Sequence, residues 1–502
     1  MNTFHRGCLA GAFLLLGLLA CSKNDDDPGG TGGGVTIDSV STTSSAPEGN
    51  TGNAANEDDL IANSTFSSTV TITYGSTVTI TNPLAGSGVT VTESSGDVVV
   101  NATVAGVEYI LAGTSTNGSF KIYSDKKFKL TLNGVSLTNA DGPAVNVQSG
   151  KRAFVVLADG TSNSLTDGAT YATSTEDQKA TFFSEGQLIF SGSGSLTIKG
   201  NYKHAICSDD YVRVISGTIT VSGAVSDGIH TNDAFIADGG ILTIAASGDG
   251  IQAEEGFIVI NDGTFTLHVA DKGITASWDT DTSIDPYVTI NGGVLNVNST
   301  AGEGIESKSI LTINKGTLTI KTYDDALNAG SFIYLNGGTI YAYSSNNDGI
   351  DSNGPMTITG GKIVSVGAGS PEEGFDCDRN TFKITGGIAV GIGGATSMPT
   401  STVTTQAVAI LGGASANQIL HIQSADGTEA LTFEVPRTYT TMLFSSPKLK
   451  TGTSYKIYTG GSITGGTSVN GLYTGGTYLG GTQASTFTQS SVVTKAGGTQ
   501  GP

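Results

Sequence analysis

Cysteine is scarce in this chain: four in 502 residues, with Cys8 and Cys21 near the start and Cys207 and Cys377 far apart in the body. That spacing excludes a disulfide-stapled scaffold. There is one tryptophan, and charged residues make up 14% where a soluble domain usually carries about a quarter, so long polar helices are excluded as well. Bases number 24 against 44 acids, a formal charge of −20, and they form no stripe that could track a phosphate backbone, which argues against nucleic acid as a partner. No phosphate loop, Ser-His-Asp spacing or zinc cluster is legible, and the five histidines are scattered. What the chain has in plenty is glycine, 72 residues, about twice the ordinary share.

The first twenty residues carry Arg6 and then an apolar run from Leu9 to Ala20, too short to span a bilayer and typical of a secretion signal. The end of that run, Leu18-Leu19-Ala20-Cys21, resembles a bacterial lipobox, which implies cleavage before Cys21 and a lipid anchor on its thiol. Ser22-Lys23-Asn24-Asp25-Asp26-Asp27 resembles the acidic tag of Bacteroidetes surface lipoproteins and implies an outer-membrane, cell-surface location. Residues 21–65 are polar and small, poor in the apolar groups that offset ordering entropy, and read as a flexible tether.

The body is a repeat. A small residue followed by an isoleucine-like one recurs at Ala205-Ile206, Gly228-Ile229, Gly250-Ile251, Gly273-Ile274, Gly304-Ile305, Ala326-Leu327, Gly349-Ile350 and Gly374-Phe375. The spacing is 22–23 residues apart from two longer units. Glycine turns such as Gly292-Gly293 and Gly337-Gly338 introduce short strands with period-2 alternation, so the fold class is all-β. One unit of this length makes one coil of a parallel β-helix spanning residues 66–395. A leucine-rich repeat is set aside for want of fixed leucines and an asparagine ladder, and a propeller blade needs about twice the length. Residues 396–502 lose the register and read as a C-terminal β-rich cap with a disordered tail. Cys207 and Cys377, about seven coils apart, are expected to be free.

Stacking turns each motif position into a column. Before the small residue stand Asp227, Asp249, Lys272 after Asp271, Glu303, Asp325 after Asp324, Asp348 and Glu373. Two positions after it stand His230, Gln252, Thr275, Glu306, Asn328, Asp351 and Asp376. Carboxylates about 5 Å apart repel by roughly 3–4 kcal/mol at an effective dielectric of 20. Ca²⁺, which takes six to eight oxygens, is the expected compensation. Glu303/Glu306, Asp348/Asp351 and Glu373/Asp376 are the expected chelating pairs. Asp-Gly corners alone are an alternative account of the first column. The longest unit adds Trp278-Asp279-Thr280-Asp281-Thr282-Ser283-Ile284-Asp285, whose aspartates suit a further ion and whose tryptophan suits stacking on a sugar ring.

The motifs Leu130-Thr131-Leu132-Asn133-Gly134-Val135, Leu157-Ala158-Asp159-Gly160-Thr161, the Asp-Gly-Ile units and Leu449-Lys450-Thr451-Gly452-Thr453-Ser454-Tyr455 resemble the carbohydrate-binding-domain proteins typified by a clostridial cellulose- and pectin-binding β-helix protein. The resemblance implies a right-handed parallel β-helix, calcium sites on the coils and binding to plant-type polysaccharides such as polygalacturonate or cellulose; the residues themselves offer Trp278, His230 and Lys272 as candidate ligand contacts. Two other functions remain open. A calcium-dependent polysaccharide lyase needs a base of lowered pKa, for which Lys272 and Lys308 are the candidates ahead of Lys203 and His204. An adhesin or surface scaffold needs none.

Overall fold

The computed structural model describes residues 34–38 and 42–501; the leader at 1–20 and Cys21 lie outside the described residues. The chain forms the expected parallel β-solenoid, built on three strand columns. One is a thirteen-stranded sheet from Val89–Ser94 to Phe375–Asp376, parallel except for its first pair. The other two columns also advance one parallel pairing per coil, for example Phe257–Ile260 on Tyr287–Ile290 and Thr264–Val269 on Val294–Ser299. The only helical turns among the described residues are short 3-10 segments at Glu57–Asp59 and Ile61–Asn63.

The repeat isoleucines set the register. Ile206, Ile229, Ile251, Ile274, Ile305, Leu327, Ile350 and Phe375 pair successively, and all are fully buried. Each contributes about 1.5–3 kcal/mol by leaving water. The shared core also holds Cys377, while Cys207 packs on Ala180 and Phe183; both thiols are free.

Two boundaries differ from expectation. Residues 43–59, assigned above to a flexible tether, lie along the solenoid as an ordered strap. The side-chain amides of Asn336, Asn314, Asn291 and Asn261 each donate to a strap carbonyl, those of Glu48, Asn50, Gly52 and Asn53 in turn. The same amides donate at 2.8–2.9 Å to the side-chain oxygen one coil earlier, ending on Asp238. An asparagine ladder is therefore present after all, and it is what the strap binds. Its far end is fixed by Asp59, fully buried, which accepts from Arg152 Nε at 2.7 Å, Tyr211 Oη at 2.6 Å and Arg213 Nη1 at 3.3 Å.

The second difference is the C-terminus. Residues 408–501 form a mainly antiparallel cap rather than ending in a disordered tail. Val408–Ala414 and Tyr439–Ser445 extend the last coil through Ile388–Gly393, and Val493–Lys495 returns to pair with Val408–Ile410. A six-stranded antiparallel sheet covers the outer faces of Val364, Val366, Val390 and Ile392. Both faces of those strands are buried, which is why alternation is lost there in the sequence.

Removing the buried Asp59 leaves Arg152 without its counter-charge and Arg213 with Asp238 alone, a change that typically costs about 3–5 kcal/mol. Asp59→Ala is expected to lower the melting temperature and to accelerate amide exchange across residues 43–59. Unchanged exchange in that segment would show that the strap is held some other way.

Candidate functional site

The two acidic columns lie where the repeat placed them, running from coil to coil along the thirteen-stranded sheet. In the second column Thr275, Glu306, Asn328, Asp351 and Asp376 are successive register partners. In the first, the corner acids cap the next coil: Asp227 Oδ1 accepts from the Asp249 amide at 2.9 Å, Asp249 Oδ1 from the Lys272 amide at 2.9 Å, and Asp325 Oδ1 from the Asp348 amide at 2.9 Å. Asp348 caps the Glu373 amide in the same way. The turn account of this column is thus part of its role, since one oxygen of each aspartate is spent on the backbone.

The columns resolve into three chemically different stretches. In the middle, Lys272 pairs with Glu306 and lies 3.6 Å from Glu303, and Lys308 lies 2.5 Å from Glu306. Burial pulls Lys272 downward, but Glu306 and Glu303 outweigh it and hold its pKa above the ordinary lysine value. Burial likewise raises Glu306, yet the two lysines leave it below the usual carboxylate range. At Glu303/Glu306, where a calcium ion is expected, lysine ammonium groups stand beside the carboxylates. Both lyase candidates, Lys272 and Lys308, are engaged by Glu306.

At the N-terminal stretch the expected calcium ligand Asp227 is engaged by His204 at 3.0 Å and His230 at 3.1 Å. Asp249 is buried at a corner, and Asp271 is exposed. In the insertion, Glu255 accepts from Thr280 N and Oγ1 at 2.6 and 2.7 Å, and Asp281 Oδ1 accepts from Ser283 N and Oγ at 2.9 and 2.6 Å. Among the described residues Asp279, Asp281 and Asp285 do not converge on one point, so the further ion expected there finds no ready cage. Trp278 is half-buried and three rungs, roughly 14 Å along the axis, from the acids described next.

At the C-terminal stretch the carboxylates do converge. One oxygen from each of Asp348, Asp351 and Asp376 lies within 4.8 Å of the others. Asn328, unremarked among the site acids, donates to Asp325 at 3.0 Å and to Asp351 at 2.9 Å, so it bridges two carboxylates that would otherwise repel. Ser397 Oγ donates to Asp376 at 3.0 Å. Glu373 is 1% exposed, and neither carboxylate oxygen has a hydrogen-bond partner among the described residues. Asp324 stands beside the cluster, orienting through Asn347 at 2.7 Å. Burial first, and the surrounding acids after it, push Asp325 up to about 7, Asp348 and Asp351 to about 8 and Glu373 to about 9. The donor set is all oxygen and short of positive charge, which fits a hard divalent cation such as Ca²⁺.

The chain belongs to the carbohydrate-binding domain-containing family, whose model matches residues 67–349. It is 30% identical over 118 residues to a carbohydrate-binding domain-containing protein of Acetivibrio thermocellus, an alignment covering 22% of this chain and 41% of that protein. It is also similar to the solved structure of a polysaccharide lyase-like protein from C. thermocellum, studied as a gadolinium derivative, at 24% identity and a TM-score of 0.40 over 49% of this chain and 96% of that one.

Carboxylates whose folded pKa exceeds the unfolded value bind more protons in the native state, so they stabilise it below about pH 4 and lose that contribution as pH rises through their folded pKa values. In chelator, the melting temperature is therefore expected to fall between about pH 5 and pH 9, and saturating Ca²⁺ is expected to flatten the slope. A melting temperature that rises over this window in chelator would contradict the raised values.

Proposed function

We propose that the protein is a lipid-anchored, surface-exposed polysaccharide-binding protein whose recognition of glycan depends on Ca²⁺ held by Asp348, Asp351 and Asp376. The observation that carries this reading is the convergence of those three carboxylates beside the unpartnered Glu373. Asp325 and Asn328 support the ligands from the preceding coil. Three carboxylates leave a cation of this class with coordination positions to spare. A uronate carboxylate or a pair of sugar hydroxyls can fill them, which turns an anionic surface into a receptor for an anionic polymer. Plant-type glycans such as polygalacturonate are the first choice on that logic, with cellulose as the uncharged comparison. Binding is preferred to lyase chemistry because Lys272 and Lys308 are both committed to Glu306. The anchor at Cys21 places the solenoid outside the outer membrane, where such a polymer is met.

Affinity electrophoresis through polygalacturonate and cellulose tests the reading. Retardation is expected in Ca²⁺ and is expected to vanish in chelator. Asp351→Asn and Asp376→Asn are each expected to weaken Ca²⁺ binding by tenfold or more, with the fold intact by circular dichroism. Equal migration with and without Ca²⁺ on every glycan would remove calcium from recognition. Mass spectrometry of residue 21 checks the anchor separately.

A further inference from the structure

The N-terminal stretch of the same columns carries a different chemistry. His204, Asp227 and His230 come from two adjacent coils, and all three are buried, their side chains 1%, 8% and 5% exposed. Asp227 Oδ1 is held by the Asp249 amide at 2.9 Å and by Ser226 Oγ at 3.2 Å, so Oδ2 is left to face the rings. It lies 3.0 Å from His204 Nδ1 and 3.1 Å from His230 Nδ1. Gln252 Oε1, from the next coil, stands 3.0 Å from that same His230 nitrogen.

Four atoms with lone pairs therefore crowd one small region, and the hydrogens on the two Nδ1 atoms cannot serve every contact there. His230 Nδ1 faces two acceptors and can carry one hydrogen. His204 Nδ1 faces the Asp227 oxygen and also lies 3.4 Å from the Asp227 amide N–H, so donating to the carboxylate forfeits accepting from the amide. Hydrogen bonding elsewhere does not explain why His204 is there, because its buried Nε2 has no partner. The spacings match another arrangement. Ligands at 2.0–2.1 Å around a tetrahedral ion are separated by about 3.3 Å, near the 3.0–3.1 Å found here. The outer shell matches too: His230 Nε2 lies 3.2 Å from Glu254 Oε2, the carboxylate–imidazole relay that orients metal-bound histidines. Glu254 is 35% exposed and marks the way in from solvent.

We infer that His204 Nδ1, Asp227 Oδ2 and His230 Nδ1, with Gln252 Oε1 as the fourth donor, form a binding site for a divalent transition-metal ion of the zinc class. Two imidazoles and one carboxylate favour such an ion over Ca²⁺, whose ligands are oxygens. The site is distinct from the C-terminal cluster, five rungs or roughly 24 Å away, and does not depend on the calcium reading. It ties three successive coils together, so its role is to clamp the solenoid.

Equilibrium dialysis of the full-length protein against micromolar Zn²⁺, followed by metal analysis, tests the site. One tightly held zinc per chain is expected, and Co²⁺ in its place is expected to give the visible absorption of four-coordinate cobalt. His204→Ala and His230→Ala should abolish retention. Glu254→Gln, at a partly exposed position that leaves the fold intact, should weaken it by about tenfold. Asp348→Asn should leave zinc binding unchanged while it weakens Ca²⁺ binding, which separates the two centres. Failure of the wild-type protein to retain Zn²⁺, or an unchanged affinity in Glu254→Gln and both histidine variants, would overturn the inference.

Discussion

Parallel pairing of one coil on the next, locked by a buried aliphatic column, is the constraint from which the other features follow. A slip of one residue would carry Asp351 to the core side and Ile350 to solvent. With Ile206 through Phe375 all buried, that slip is prohibitive, so the neighbouring positions are held in register whatever they carry. The core thus supplies the free energy that keeps like charges stacked. Carboxylates at Asp348, Asp351 and Asp376 do not assemble because they attract one another. They assemble because the isoleucines between them leave no alternative.

Two columns under the same constraint show how side-chain chemistry decides what stacking produces. On the strap side the column is asparagine, whose amide donates and accepts. Asn261, Asn291, Asn314 and Asn336 satisfy one another and have a hydrogen left for the strap carbonyls. That column closes on itself and becomes structure. Along the thirteen-stranded sheet the column is largely carboxylate, which only accepts. It is completed from outside itself: by backbone amides at Asp227, Asp249 and Asp325, by lysines at Glu306, and by Asn328 between Asp325 and Asp351. At Asp348, Asp351 and Asp376 the donors, among them the Glu373 amide, Asn328 and Ser397, are neutral, so the charge deficit remains, and it is there that a cation fits.

The solenoid and its columns were legible because small-residue–isoleucine pairs recur at an almost fixed period and each position maps to one place on a coil. The division of the acidic column was less so. The sequence places Lys272 and Lys308 near Glu306, but whether a lysine bends back to a carboxylate depends on rotamer and burial, which the period does not carry. The strap was missed for a related reason. Residues 43–59 have little apolar content and fold only against a partner whose donors are side chains of distant coils. A signal was present even so: Asn261, Asn291, Asn314 and Asn336 each stand two residues before the positive-φ glycine of a turn, Gly263, Gly293, Gly316 and Gly338. The tail was misread because Val493–Lys495 has too few residues to announce itself until Val408–Ile410 is there to pair with it.

The second column reads, coil by coil, Cys207, His230, Gln252, Thr275, Glu306, Asn328, Asp351 and Asp376. Softer donors lie at one end, hard oxygen donors at the other, and a lysine-neutralised glutamate separates them. A globular fold would have to rebuild its core to move from one ligand chemistry to another. Here each rung is independent of its neighbours except through the ladder, and a single substitution changes the donor at a fixed position. Five rungs, roughly 24 Å, also exceed the screening length of about 8 Å at physiological ionic strength. A charge gained at one end of the column is therefore only weakly felt at the other, and the two ends are free to differ in what they hold.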